Sequence, residues 1–437
     1  MRISIFLIIF IQFILSNDYC LGQTQYQLTI GGPNIDDEHS LIQVADGSYV
    51  LAGYTNPDYT QNNDFYIVKI NIDDSIKWSM SLGGSGTDIA HSIIQTKDGG
   101  FAVVGLTNSY SEKSDACLIV KLDSNGALTW SRTVGGGKGE WCSSIVQTKD
   151  GGYAIAGYSF SFGSGKSDLY IFKLDVNGKL LWSKTIGGTD HDVARDIILT
   201  EDGGFALAGY TFSYGEGGSD YFIVKLDGYG NVEWSRTIGG TGWEDANSII
   251  QTKDGSFVIA GYTDSFGAGF KDCYIVKLDA SGRLQWSRTV GGTGFEEALS
   301  VIEAFDNGYG IAGYTNSFGA GGNDFYVLNL DKSGKLKWSK TVGGINYEAA
   351  ESINQTTDGG FVIAGYTDSF GFGNFDIYIV KLSDSGYTCE NSYSPVSILG
   401  RGGIASSVDL KSVSQTSILT SVTPDVSNGG KLTTICK

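Results

Sequence analysis

With 48 Asp and Glu against 30 Lys and Arg, this 437-residue chain carries a formal charge of −18, which excludes the clustered cationic surface that nucleic acid or an anionic membrane demands. Sixty-three Gly, 24 Tyr and 22 Phe beside only four Pro describe many short strands joined by tight turns and exclude long helices. Cations, neutral sugars and basic proteins remain as partner classes.

Residues 1–22 read as a secretory signal peptide: Arg2 gives the positive start, Ile3 to Leu15 the apolar core, and Cys20-Leu21-Gly22 a cleavage site before Gln23. The apolar run is too short to span a bilayer. Asn17-Asp18-Tyr19 before Cys20 does not resemble a lipobox, and no other segment is suited to membrane insertion. The expected location is secreted, extracellular or at the cell surface.

From residue 23 to 389 the chain repeats. Trp78, Trp130, Trp182, Trp234, Trp286 and Trp338 are spaced 52 residues apart, and one further step back reaches Tyr26, so seven copies are in phase. Taking the copy at Trp234, four strand-like runs follow: Trp234 to Ile238, Asn247 to Thr252, Ser256 to Thr263 and Cys273 to Leu278. The third is almost continuously apolar, as a strand covered on both faces is. Four antiparallel strands per repeat is the blade of a β-propeller.

The ends of the array predict how it closes. The last copy stops after Asp376 to Leu382, with Glu390 where Trp is due, whereas Tyr26 to Ile30 and Gly31-Gly32 match the Trp-bearing strand with nothing before it. The amino-terminal strand is therefore expected to complete the seventh blade and leave no open edge. This predicts an all-β, seven-bladed propeller of four-stranded antiparallel blades, monomeric, with the Trp-bearing strand outermost and the strand from Asn247 and its equivalents innermost.

The pattern VKLDxxGxxxWSxTxGG followed by DGGxxxAGYT resembles the secreted bacterial-type β-propeller repeat family, SBBP-like, over residues 26 to about 389. Its Asp-x-x-Gly-x-x-x-Trp hairpin is similar to the tryptophan-docking hairpin of quinoprotein propellers, at Asp175-Gly178-Trp182, Asp227-Gly230-Trp234 and Asp279-Gly282-Trp286. The resemblance implies a secreted propeller and little about its ligand.

Five cysteines remain after cleavage. Cys117 and Cys273 are equivalent positions three repeats apart, too far for a bridge in a closed ring. Cys142 replaces the Ala of most copies and is expected to be a small buried filler. Cys389 and Cys436 bracket a Ser/Thr/Gly-rich tail, residues 390–437, and are the one expected disulfide bond, contributing about 4 kcal/mol in the loop-entropy picture.

A carboxylate recurs at one position in all seven copies: Asp36, Asp88, Glu140, Asp192, Glu244, Glu296 and Glu348. One reading is an acidic channel mouth that binds calcium; the other is that each carboxylate accepts backbone N–H bonds and locks blade to blade. Identity in every copy favours the structural reading. Function is sought where the copies differ. The preceding position holds His191, Trp243, Phe295 and Tyr347, and Trp141 follows Glu140; such aromatics form a platform for sugar rings or a protein partner.

His39 and His91 are equivalent, and with His191 they are the only histidines, too few for a zinc site. No Gly-x-Ser-x-Gly elbow, His-Glu-x-x-His pair or phosphate loop is present. No cofactor is expected. The chain is expected to be a binding module for a glycan or extracellular protein; the alternatives are a carbohydrate-active hydrolase or lyase using channel-mouth carboxylates, or a structural scaffold for surface display.

Overall fold

The computed structural model describes residues 25–388, apart from 33–34, 57–61, 73–74, 112 and 372, together with the backbone of seven short strands between 392 and 436. Residues 1–22, expected to be a signal peptide, and Cys389 of the expected Cys389–Cys436 disulfide lie outside the described residues, as does the side chain of Cys436.

Every repeat folds into one antiparallel sheet, and seven sheets form the ring. Blade 5 shows the order from the axis outwards: Glu244–Gln251, Phe257–Thr263, Asp272–Leu278 and Leu284–Gly291. The amino-terminal strand Tyr26–Gly31 takes the fourth place in blade 7, pairing from Tyr26↔Lys381 to Ile30↔Ile377 along Asp376–Leu382. The ring therefore closes as the repeat boundaries require. Closure is reinforced at the axis, where Leu41 N–H donates to Ser352 Oγ (3.2 Å) and Asn354 Nδ2 to Leu41 O (2.9 Å).

The Trp-bearing strand is not outermost. Each blade receives a fifth strand from the tail, and the tail visits the blades in reverse order: Ser392–Tyr393 on blade 6, then Ile398–Gly400, Ile404–Ser407, Val413–Ser414, Ile418–Ser421 and Asp425–Ser427 on blades 5 to 1. The last strand, Lys431–Cys436, pairs with Tyr26–Gly31. The tail is thus a belt that ends on the strand that closes the ring. The sequence could not place it because these contacts are backbone ladders, which any non-Pro residue can make.

The core lies between blades. A typical cluster joins Ala206, Ala208, Tyr221 and Ile223 of blade 4 to Ile249, Phe257, Ile259 and Tyr274 of blade 5, all buried. Outer turns are locked by the motif residues. Gly282, at φ +76°, lies against the Trp234 ring of the preceding blade, where a Cβ would come within 2.9 Å of the indole. Arg236 covers the same ring at 5.4 Å and donates through Nε to Gly282 O at 2.7 Å. Glycine is needed there for both its backbone angle and its lack of a side chain.

A second expectation is also overturned. Cys142 is not a filler: it forms a disulfide with Cys117, Cα to Cα 5.3 Å, joining blades 2 and 3. The third strand of each blade packs on the innermost strand of the next, so residues 25 apart in sequence meet across the interface. Cys273 occupies the matching place three interfaces further on, but packs with Ala298 and stays a buried free thiol. A loop of this size contributes about 3 kcal/mol. Among the described residues no helix is long and apolar enough to cross a membrane.

Candidate functional site

The recurring carboxylates come first because their geometry assigns them a role. Glu244 is fully buried; its Oε2 accepts Gly240 N–H at 2.9 Å, its Oε1 accepts Thr263 Oγ1 at 2.6 Å, and its own N–H donates to Ser219 O of the preceding blade at 2.8 Å. The same glycine bond is made to Asp36 (2.7 Å), Asp88 (2.9 Å), Glu140 (2.6 Å), Asp192 (2.7 Å), Glu296 (2.7 Å) and Glu348 (2.7 Å). These oxygens are occupied by the loops that lead from each blade into the next and by the end of the second strand of their own blade. Among the described residues no three His, Cys, Asp or Glu side chains form a group able to hold a metal ion; what the described carboxylates do make is an internal hydrogen-bond lock.

Of the aromatic candidates, Trp243 (55% exposed), Phe295 (40%) and Tyr347 (55%) are open to solvent. Phe295 stacks on exposed Phe270, ring centroids 5.2 Å apart. Trp141, His191 and Trp243 belong to one row of rings that runs across blades: Trp141 to Tyr158 (5.7 Å), Tyr158 to Phe160 (5.6 Å), Phe160 to His191 (6.3 Å), His191 to Phe212 (6.3 Å) and Phe212 to Trp243 (5.9 Å). Ser167 Oγ lies 2.9 Å from His191 Nδ1 and holds that ring in the row.

Phe160 and Phe212 escape a reading centred on the loop before the inner strand. Their equivalents Asn108, Asp264 and Asn316 use a side-chain oxygen to accept N–H from Thr87, Trp243 and Phe295. Phenylalanine cannot accept that bond, so in blades 3 and 4 a bond of about 1 kcal/mol is given up and an exposed ring takes its place. A sequence signal was present: these two positions abandon a polar residue kept elsewhere.

At its inner end the row enters the central channel, a cavity of about 450 Å³ lined by all seven innermost strands. Each of those strands carries a β-bulge at the same place, as between Ala246 and Ser248 in blade 5. A bulge re-aims the unpaired residue. Here that residue is His39, His91, Ser143, Arg195, Asn247, Leu299 or Glu351, and all seven line the channel. The next residue is Ser in six blades and Asp196 in the fourth, and it ties neighbouring inner strands together, as Ser40 Oγ accepting Ile93 N–H at 3.3 Å and Asp196 Oδ2 accepting Ile249 N–H at 2.9 Å do. One position is constant and structural; its neighbour differs in every blade but the first two and faces the cavity.

The channel wall is chemically lopsided. His39 and His91 contact edge to face at 5.6 Å, and His91 stacks on Trp141 at 6.3 Å. Burial pushes both imidazoles down to about 4, so they are neutral at physiological pH. Across from them Arg195 forms a fork with Asp245 (3.2 and 2.9 Å to Oδ2) and lies over Tyr210. Glu297 accepts from Asn247 Nδ2 (3.0 Å) and Tyr314 Oη (2.8 Å). Burial raises the carboxyls of Glu297 and Glu351, and raises Asp37 to about 7.

No protein-family model matches the chain. Over 173 residues, 37% of this chain, it is 25% identical to the regulatory protein FlaEY of Caulobacter vibrioides, and the match spans 16% of that protein's length. Among solved structures, the polysaccharide lyase Uly1 aligns with 81% of this chain and 90% of its own at 10% identity, TM-score 0.47. Sqt1 from Chaetomium thermophilum aligns with 82% of this chain and 99% of its own at 9% identity, TM-score 0.43. At these values neither structure carries an argument about this chain, whose ring is read from its own strand pairing.

The buried acids and imidazoles make stability depend on pH. Asp220 and Asp324 are raised to about 7 by burial and by Glu244 and Glu348 beside them, and Asp37 stands at the same value. A carboxyl raised on folding stabilises fully below its unfolded value, and that contribution is lost as pH rises through the folded one. His39 and His91, lowered from 6.5 to about 4, act oppositely and withdraw stability as pH falls through that window. Between about pH 4 and 6.5 the two effects oppose each other, and above that window only the carboxyl loss continues, so the melting temperature should fall from about pH 6.5 to about pH 8; a melting temperature that rises steadily to pH 8 contradicts the assignment.

Proposed function

We propose that this protein is an extracellular glycan-binding module and that the row of rings from Trp141 in the channel to Trp243 on the outer face is its binding surface. The continuity of that row carries the reading. Rings spaced between 5.6 and 6.3 Å with alternating tilts offer a stiff apolar track on which successive sugar faces stack. Hydroxyl groups find partners along it in Arg195, Asn247 and the serines of the channel wall. Phe270 with Phe295, and Tyr347, extend exposed aromatic area on later blades. The signal-like residues 1–22 and the Cys117–Cys142 bridge support an oxidising, secreted setting, in keeping with the resemblance to SBBP-like repeats.

A second reading has support of its own. Glu297 and Glu351 carry raised carboxyls in the channel, the condition a general acid in glycan cleavage needs, so the hydrolase alternative passes from the ring carboxylates to these two residues. The test separates the readings. Purified protein is screened on a glycan array, and affinity for each hit is measured by calorimetry, with product release followed by mass spectrometry. Trp243→Ala should weaken binding roughly 30-fold, the loss of an aromatic anchor of about 2 kcal/mol, with its melting temperature unchanged. Unchanged affinity with a large drop in melting temperature would sink the binding surface, and glycan cleavage abolished by Glu351→Gln would establish the enzyme.

A further inference from the structure

The acids of the channel are not evenly compensated. Arg195 is matched by Asp245, which removes that cation from the balance. Glu297 has a neighbouring ammonium: Lys271 Nζ lies 3.6 Å above the Tyr262 ring, and its charge favours the ionised form of Glu297. The residue before the third strand is Lys only in blade 5; the equivalent places hold Asn63, Asp115, Ser167, Ser219, Asn323 and Phe375.

On the other side of Glu351 the same kind of corner recurs without a cation. Asp37 and Glu351 come from adjoining innermost strands of blades 1 and 7, Ile35–Gln43 and Glu348–Gln355. Tyr54 and Tyr366 stand where Tyr262 stands in blade 5, and both feel the two carboxyls. The charges acting on Glu351 are those of Asp37 and Glu297, all of one sign. Buried Glu38 adds a third carboxyl at a position that is Ala or Cys in every other blade. Polar atoms here lack partners: Asp37 Oδ1, both oxygens of Glu38, and Nε2 of His39, which lines the channel. Buried polar atoms left unpaired are costly, and carboxyls gathered without a cation are costlier still.

We propose that the Asp37–Glu351 corner is an ammonium subsite, and that the channel selects a cationic amino sugar: a glycan whose 2-amino groups are free rather than acetylated. This deepens the glycan-binding reading and rests on it. The ligand's ammonium would lie beside Tyr54, where Asn63 stands in place of Lys271, since the matching place on Tyr366 is filled by Phe375 (ring centroids 5.2 Å), while its sugar ring lies towards His91 and Trp141. A cation beside aromatic faces and carboxylates is a favourable pairing, and an N-acetyl group removes the charge and leaves a single amide N–H donor.

The experiment uses the mature full-length protein, calorimetry, and three tetrasaccharides: β-1,4-linked glucosamine, its N-acetylated form, and cellotetraose. The glucosamine tetramer should bind at least 10-fold tighter than either neutral one. Asp37→Asn and Glu351→Gln should abolish that preference, so that in each variant the glucosamine tetramer binds no tighter than the neutral ones. Because the chain is strongly acidic overall, Glu201→Gln, an exposed acid outside the channel lining, controls for long-range attraction. Equal affinity for all three sugars overturns the ammonium subsite and leaves the glycan reading standing. A preference reduced as much by Glu201→Gln as by Glu351→Gln also overturns it. Binding of none of the three, with ethylammonium bound in an Asp37-dependent way, upholds the subsite and removes the sugar.

Discussion

Deleting Tyr26–Gly31 is expected to leave a chain that does not fold. Tyr26, Leu28 and Ile30 are buried in the interface that joins blade 7 to blade 1, and each such side chain stabilises by about 1.5–3 kcal/mol. Their sum alone approaches the 5 to 15 kcal/mol of stability that roughly bounds most proteins, before counting the exposed edge of Asp376–Leu382 and the bond from Tyr378 Oη to Gln27 Oε1 (2.6 Å). Circular dichroism should show no cooperative melt, and Ile30→Asp should approach the same result with the chain length kept. Truncation after Thr388 is the contrasting case. It removes seven short ladders whose hydrogen bonds contribute about 0.5–1.5 kcal/mol each against an ordering cost of about 1–2 kcal/mol per residue. The truncated ring should therefore stay folded within a few degrees of the full chain and show instead concentration-dependent association through its uncovered outer edges, read by light scattering. A ring that survives the loss of Tyr26–Gly31 but not of the tail would mean that the belt, not the first strand, closes it.

Of these two segments the first is legible in the sequence and the second is not. Tyr26–Gly31 is legible because it repeats a motif and therefore inherits the motif's place. Residues 390–437 repeat nothing, and their pairing rests on backbone groups common to all residues. Cys117 and Cys142 fail to be recognised for a different reason. Each was compared with its own equivalents, whereas contact in a propeller joins the third strand of one blade to the first of the next. Trp243 and Trp141 stand out in the sequence as departures from the repeat. Asn247, Arg195 and Glu351 obey the same rule at another position, but the bulge before Ser248 breaks the two-residue alternation that would have assigned them to the channel. Phe160 and Phe212 needed knowledge that their polar equivalents accept a loop N–H.

Glu244→Ala should lower stability by about 3–5 kcal/mol, the cost of removing one member of a buried charged network. The mutation leaves Gly240 N–H and the Thr263 hydroxyl without the acceptors they have at 2.9 and 2.6 Å, and removes the oxygen 3.3 Å from Ser265 N. No side chain can turn in to replace it, because a Cβ added at Gly240 would meet Ser265 and Phe266 within 2.8 Å. Glu244→Gln keeps one acceptor oxygen and should cost about 1–2 kcal/mol. The charge itself is not what these hairpins need, since Glu244 raises the carboxyl of neighbouring Asp220; relief of that repulsion should bring Asp220 back towards its ordinary value in both variants, measurable by carboxyl NMR titration. A metal-binding ring makes the opposite forecast: melting temperature would rise with calcium in the wild type, fall with chelator, and become insensitive to both in Glu244→Ala. With the seven carboxylates occupied by the glycines of the inter-blade loops, calcium and chelator should leave the wild-type melt in place, and the loss in Glu244→Ala should be the same in either.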